Sequence, residues 1–186
     1  QTKVPGAILV GGTAAALHAR HRYSVDPDHV IKDLQKNYDK AFASLESIAA
    51  GLRNQKRAAP LETIEVEVAP GQALRVPTVG EMLRVKAFLV VERNATRDYL
   101  DTAALSNHLG IKKSVAALER MNELYGEFAG EGGDMLTSLV TRLAAPDPYD
   151  LTDVDLTEYK GIIAPWDDWR AVEAQCGKVA AAILVS

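Results

Sequence analysis

The chain has 186 residues, 47% of them hydrophobic and 25% charged, and a formal net charge of −4, which is the composition of a compact globular domain. Its acidity argues against indiscriminate binding of nucleic acid, and no apolar run approaches the roughly 18 residues that a membrane span needs. Cys176 is the single cysteine, which excludes an internal disulfide and a cysteine zinc cluster, and we expect a cytoplasmic protein without a membrane partner.

The N-terminal segment predicts a strand followed by a helix. Residues 7–10 form an apolar run of strand length, and Gly11 and Gly12 end it. Thr13 is then expected to cap an alanine-rich helix that extends to about Arg20. Unpaired backbone N–H groups at such a helix start can bind an anion, although strand–Gly-Gly–helix turns are also common in proteins that bind nothing.

Two carboxylates follow this helix at a spacing of two. Asp26 and Asp28 would lie on the same face of an extended segment, and Pro27 between them predicts a strand edge or a bulge. Such a pair favours a hard divalent cation, which relieves the repulsion between the two negative charges. A solvated Asp-Pro-Asp turn is the alternative interpretation of the same residues.

The rest of the chain predicts one more strand and several helices. Residues 62–68 alternate between polar and apolar side chains, as a half-buried strand does. Thr78 and Glu81 form a capping-box pattern at the start of a helix over residues 79–93. Further helices are predicted over residues 33–50, 96–109, 114–128, 134–144 and 166–184, with an irregular connection over residues 146–165. We therefore expect an α+β fold, with an α/β part at residues 1–76 and a helical half at residues 77–186.

Two separated motifs resemble those of a known superfamily. The order Gly-Gly-Thr, a helix and then Arg-x-Ser-x-Asp-x-Asp, which ends at Asp28, resembles the first signature of the nucleotidyltransferase superfamily. Lys86 on one predicted helix, followed by Arg-Asp-x-x-Asp from Arg97 to Asp101 on the next, is similar to the second signature of its AbiEii/MenT toxin branch. The resemblance covers roughly residues 5 to 110 and implies a small mixed sheet of the nucleotidyltransferase fold, followed by helices.

The resemblance also implies roles for individual residues. Asp26 and Asp28 would bind the metal, and Lys86 would contact the phosphates or the leaving group. Asp98 would complete the catalytic set, with Asp101 close behind it. The other implied residues are Gly11, Gly12 and Ser24, which would hold the triphosphate, and Glu65 or Glu67, which would supply the third carboxylate of the superfamily.

The activity that the resemblance implies is that of a toxin in a toxin–antitoxin system. It would be a Mg²⁺-dependent nucleotidyltransferase enzyme, with Mn²⁺ as an alternative metal, that adds nucleotides from a nucleoside triphosphate (NTP) to the 3′ end of a tRNA. Such a tRNA modification would block aminoacylation and translation. The expected partners are therefore the NTP, the acceptor end of tRNA and a cognate antitoxin protein that neutralises the enzyme.

Other interpretations of the same residues stay open at this point. The site could nucleotidylate or phosphorylate a protein hydroxyl, or the fold could be retained as a non-catalytic nucleotide-binding module. Asp98 and Asp101, three residues apart on one helix, could be only helix caps and surface ion-pair partners of neighbouring arginines. His18 and His21 are expected to be solvated or to contact phosphate, and Cys176 to be a small buried hydrophobe.

Overall fold

The computed structural model describes residues 8–22, 59–128 and 133–186. Within them the protein has a mixed α+β fold, in which one β-hairpin lies beside a larger set of helices. The predicted features that lie outside the described residues are Ser24, Asp26, Asp28 and the helix over residues 33–50.

Seven α-helices and one hairpin make up the described part of the chain. The strands are β1 (Thr63–Ala69) and β2 (Gln72–Pro77). The helices are α1 (Gly11–Ala19), α2 (Val79–Arg93), α3 (Thr96–Leu109), α4 (Ile111–Leu118), α5 (Met121–Tyr125), α6 (Met135–Ala144) and α7 (Trp169–Leu184), with short 3-10 turns at Gly126–Phe128 and Leu156–Glu158. Among these helices, none combines the length and the apolar composition that crossing a membrane requires.

Helices α2 and α3 form the centre of the described structure. They pack against each other, while α2 also contacts α4 and α6, and α3 also contacts α1 and α7. Leu83 and Phe88 of α2 and Leu100 and Leu105 of α3 lie in the core, each at most 2% exposed. Because both helices are covered on several sides, some of their charged side chains are enclosed as well.

Capping sets the ends of the two central helices. Thr78 Oγ1 accepts a hydrogen bond from the Glu81 N–H at 3.1 Å, which confirms one half of the predicted capping box. Helix α2 ends where Asn94 adopts a left-handed conformation with a φ of 52°. Helix α3 is capped from a distance, because Asp150 Oδ1 accepts hydrogen bonds from the N–H and the hydroxyl of Thr96, both at 2.7 Å. The connection that follows α6 therefore holds the start of α3.

The strand predicted over residues 62–68 is confirmed as β1, and it pairs with a second strand that was not predicted. The two strands are antiparallel, with Glu65 opposite Arg75. Gly71 has a φ of 72° in the turn between them, and Pro70 precedes it, as is common in type II turns. In the described residues this hairpin is the whole sheet.

The predicted N-terminal strand is not found in its described part, residues 8–10, which have no regular structure. One strand-like contact is present, since the Leu9 N–H donates to Arg75 O of β2 at 2.9 Å. Thr13 does not cap the first helix, which begins at Gly11 without a side-chain cap. The φ of 81° at Gly11 turns the chain into the helix, which begins three residues before the start at Ala14 that a Thr13 cap predicts.

The helical half is predicted well except for one segment. The helices expected over residues 96–109 and 134–144 are confirmed to within one residue. The helix expected over residues 114–128 is broken into α4, α5 and a 3-10 turn, and it starts earlier, because Gly110 ends α3 and begins α4 at once. The last helix starts three residues later than predicted, where Asp168 caps it through the Arg170 N–H.

Candidate functional site

A cluster of buried charged side chains lies where α2 and α3 pack together. At its centre is Lys86 of α2, whose Nζ lies 2.8 Å from Asp101 Oδ2 and 3.4 Å from Asp98 Oδ1. Asp98 and Asp101 are about one helical turn apart on α3, so that their side chains emerge on the same face. All three residues are at most 3% exposed. We define the buried ion cluster as these three residues together with His21, Arg22 and Arg93.

Asp101 is bound by the segment that follows α1. His21 Nε2 lies 2.7 Å from Asp101 Oδ1, and neither side chain is exposed. Arg22 donates from Nε to Oδ1 at 3.1 Å and from Nη2 to Oδ2 at 3.2 Å. A two-pronged arginine–carboxylate contact fixes geometry as well as charge. The carboxylate of Asp101 therefore connects the chain after α1 to both central helices.

Asp98 is bound less completely than Asp101. Arg93 Nη2 donates to Asp98 Oδ1 at 3.0 Å, and Lys86 makes the longer contact to the same oxygen. The second oxygen, Oδ2, is buried and has no hydrogen-bond partner among the described residues, and the same holds for His21 Nδ1. The side chain of Arg93 is 42% exposed, so the cluster reaches the protein surface at this end.

The surroundings of Asp101 keep its carboxyl group ionised. Complete burial raises the pKa of this group, but the charges of Lys86 and Arg22 and the hydrogen bond from His21 lower it by more, so the pKa lies well below its usual range. Both oxygens of Asp101 and the ammonium of Lys86 are already engaged within the cluster. As the structure stands, the cluster cross-links secondary-structure elements by compensated charges.

The structure brings together three of the predicted site residues, Lys86, Asp98 and Asp101. Their predicted roles in catalysis stay predictions, because the metal pair Asp26 and Asp28 lies outside the described residues. In the part of the chain that the structure describes, no group of three or more histidine, cysteine or carboxylate residues could hold a metal ion. The two α3 aspartates were expected to form surface ion pairs, but both are fully buried, although Arg93, the partner of Asp98, is 42% exposed.

Four other predicted site residues are described by the structure. Gly11 and Gly12 lie in the first turn of α1, where Arg22 of the cluster contacts Gly12, and Glu65 and Glu67 lie on β1, apart from the cluster. A Cβ atom added to Gly12 would come within 2.7 Å of Arg22 Nη2, so this guanidinium fills the space beside Gly12 in the first turn of α1. A Cβ atom added to Gly11 would have no atom within 4 Å. Glu65 and Glu67 are exposed on β1, and Glu67 Oε1 accepts a hydrogen bond from the Gly71 N–H at 3.1 Å.

The roles of His21 and Arg22 in the cluster were not predicted. The expectation that His21 is solvated is wrong, since it is fully buried against Asp101, a residue 80 positions away in the chain. His18 is partly buried, with its Nε2 atom 2.8 Å from Pro77 O. No local pattern identifies such partners, because residues far apart in sequence meet only after the helices have packed.

The chain is similar in sequence to segments of mycobacterial transport proteins. It is 36% identical over 129 residues to the heme uptake protein MmpL11 of Mycobacterium tuberculosis, and the match covers 69% of this chain and 13% of that protein. It is 33% identical over 129 residues to the mycolic acid-containing lipids exporter MmpL11 of Mycolicibacterium smegmatis, with the same two coverages. The probable transport protein MmpL11 of Mycobacterium leprae is 29% identical over 145 residues, covering 78% of this chain and 14% of that protein. The chain thus spans 13–14% of the length of these curated relatives. No protein-family model and no solved structure matches the chain.

These relatives overturn the function that the resemblance implied. Because the relatives are transport proteins, the prediction of a toxin that extends tRNA is wrong. The predicted NTP, tRNA and antitoxin partners and the two nucleotide-dependent alternatives are wrong for the same reason, and so is the expectation of no membrane partner. The spacing of Lys86, Asp98 and Asp101 suits a triphosphate site, but an ion-paired helix interface produces the same spacing. The nucleotidyltransferase fold, an enzymatic activity and a Mg²⁺ or Mn²⁺ cofactor stay predictions.

Proposed function

We propose that this chain is a domain of an MmpL11-type transport protein that moves a large, mostly apolar cargo. The observation that carries the proposal is the 36% identity over 129 residues to the heme uptake protein of Mycobacterium tuberculosis, which involves 69% of this chain. The names of the relatives supply two cargo classes, haem and mycolic acid-containing lipids. Both are large molecules dominated by apolar surface.

The buried ion cluster supports a scaffolding role for the domain within such a protein. Lys86 and Asp101 already engage each other inside the protein, and displacing either partner would leave the other charge buried without compensation. A buried polar network whose members hold one another also limits the elements around it to one arrangement. The domain therefore contributes a fixed shape to the transporter.

The proposal is tested by exchanging the matching segment between proteins. The 129 matched residues of the Mycobacterium tuberculosis protein are replaced by those of this chain, in cells that lack their own copy. We expect the chimera to support growth with haem as the iron source. The same exchange in the Mycolicibacterium smegmatis protein should support export of its lipids, followed by thin-layer chromatography.

Two substitutions within the chimera provide a matched control. Lys86→Met disrupts the buried ion cluster and should abolish growth on haem, whereas Lys112→Met removes an exposed charge on α4 and should not. Chimeras that accumulate to the normal level and yet support neither haem-dependent growth nor lipid export would overturn the proposal.

A further inference from the structure

Two backbone hydrogen bonds determine which groups of the hairpin face outwards. The Thr78 N–H donates to Glu62 O at 2.8 Å, so these two residues form a hydrogen-bonded pair at the open end of the hairpin. Arg75 O, in contrast, accepts from the Leu9 N–H at 2.9 Å, on the side of β2 away from β1. Inward and outward residues alternate along an antiparallel ladder, and both observations give the same alternation.

Among the described residues, this alternation leaves the outer edge of β1 without a backbone partner. Arg75 is opposite Glu65, so the backbone N–H and C=O of Glu65 point away from β2, as do those of Thr63 and Glu67. Within the described ranges, no backbone group bonds to these outward groups. The irregularity in pairing between Glu67 and Ala69 ends the edge at that point.

The face of the hairpin that packs on the helices is covered at Val76 of β2 but not at Ile64 of β1. Val76 is fully buried, whereas Ile64, directly opposite it, is 42% exposed. A two-stranded sheet is marginal on its own, and a third strand beside β1 would cover Ile64 and extend the core. The other face of β1 carries Glu65 and Glu67, which are both exposed.

We propose that the outer edge of β1 binds an extended segment of another polypeptide in which basic residues alternate with β-branched apolar residues. The segment adds a third strand through the backbone groups of Thr63, Glu65 and Glu67. Its apolar side chains cover Ile64, and its basic side chains lie beside the two glutamates. The inference rests on the hairpin alone and does not depend on the transport role.

A second copy of this chain does not fit the same edge. In the antiparallel register that pairs Glu65 with Glu65, and in those shifted by two residues to either side, Glu65 of one copy lies opposite or diagonal to a glutamate of the other. Like charges in such positions destabilise a sheet, and charged edge residues are a common defence against self-association. Arg75 Nη2 approaches Glu65 Oε1 from β2 at 3.9 Å, but with Glu67 beside it this face of the hairpin stays net negative. Charge complementarity therefore selects a basic partner.

The test measures binding of a labelled peptide, Val-Lys-Val-Lys-Val-Lys-Val, to the full chain by fluorescence anisotropy. A peptide of the same composition in the order Val-Val-Lys-Lys-Lys-Val-Val is the control, and it should bind at least several-fold more weakly.

Glu65→Pro removes an outward N–H without removing a hydrogen bond to β2, and we expect binding about tenfold weaker. Glu65→Gln combined with Glu67→Gln keeps the backbone and should weaken binding several-fold, with a smaller dependence on salt. Glu92→Gln, an exposed charge on α2, should leave binding unchanged.

Hydrogen exchange tests whether the peptide pairs with the outer edge of β1, even if the proline variant fails to fold. In the free chain the amides of Ile64 and Val66 should exchange slowly and those of Glu65 and Glu67 fast, and the peptide should protect only the second pair. Equal binding of both peptides, no binding, or unchanged binding by the double glutamine variant would overturn the inference. Protection of Glu65 and Glu67 in the free chain would overturn it too, because another segment of this chain would then cover the edge.

Discussion

The ammonium group of Lys86 lies 2.8 Å from the carboxylate of Asp101, and both side chains are inside the protein. Charges in the interior are tolerated only when they are paired, so the two helices that carry them must approach in one register. The pair therefore specifies how α2 and α3 pack, in addition to any role in function.

Removing the central cation should be strongly destabilising. Lys86→Met keeps most of the side-chain volume but leaves Asp98 and Asp101 with fewer compensating charges, and we expect the free energy of unfolding to fall by about 3–5 kcal/mol. Urea denaturation followed by circular dichroism measures this difference. Lys112→Met, on the exposed start of α4, should change the value by less than about 0.5 kcal/mol. A loss of similar size in both variants would contradict the central role of Lys86.

The contribution of Asp101 to stability should depend on pH. Its folded-state pKa lies below the usual value, so the carboxylate stabilises the protein above about pH 4, the ordinary aspartate pKa, and this contribution is lost as the pH falls towards the folded value. We expect Asp101→Asn to be much less stable than the unmodified chain at about pH 7, with a gap that narrows as the pH falls below about 4 and closes only as the pH approaches the folded-state pKa. Asp167→Asn, at an exposed carboxylate, serves as the control. A gap that widens on acidification would contradict this assignment.

The single thiol should be unreactive in the folded protein. Burial raises the pKa of Cys176 to about 12, so the thiol is protonated at neutral pH, and the residue is only 1% exposed. We expect no reaction with an aromatic disulfide reagent under native conditions and full reaction after denaturation in guanidinium chloride. Rapid labelling of the native protein would show that the surroundings of α7 open.

The hydroxyl of Thr78, which caps α2, should make a modest contribution to the free energy of unfolding, and this contribution can be measured separately from the rest of the side chain. Thr78→Ala removes the hydroxyl that accepts from the Glu81 N–H, and we expect a loss of about 1 kcal/mol in the free energy of unfolding. Thr78→Ser keeps the acceptor and should lose much less. Chemical denaturation of the three proteins under the same conditions provides the comparison, and equal losses from alanine and serine would exclude the hydroxyl as the cause.

Features that depend on neighbouring residues could be predicted from the sequence. The start of α2 follows from Thr78 and Glu81, and the end of α3 from Gly110, because each signal acts within one turn of helix. β2 was also within reach, since Pro70 and Gly71 after a strand are a turn signal with a second apolar run behind it.

Features that depend on distant residues could not be predicted. The cap of α3 comes from Asp150, which is 54 positions after Thr96, and no capping rule looks so far along the chain. The face shared by Asp98 and Asp101 was predicted from helical spacing, but its burial was not, because it depends on which helix covers it. The functional interpretation failed for this reason, since the same spacing suits a phosphate site and a buried ion pair.

Gly110 joins α3 directly to α4 with a φ of 83° and a ψ of 149°, and a Cβ atom added there would have no atom within 4 Å. The restriction on this residue is therefore one of chirality and not of space. L-alanine would be strained by the positive φ, whereas D-alanine, introduced by chemical ligation, has the mirror-image preference and accepts a positive φ. The same methyl group in the same open position should thus stabilise the protein in one enantiomer, by restricting the unfolded chain, and destabilise it in the other.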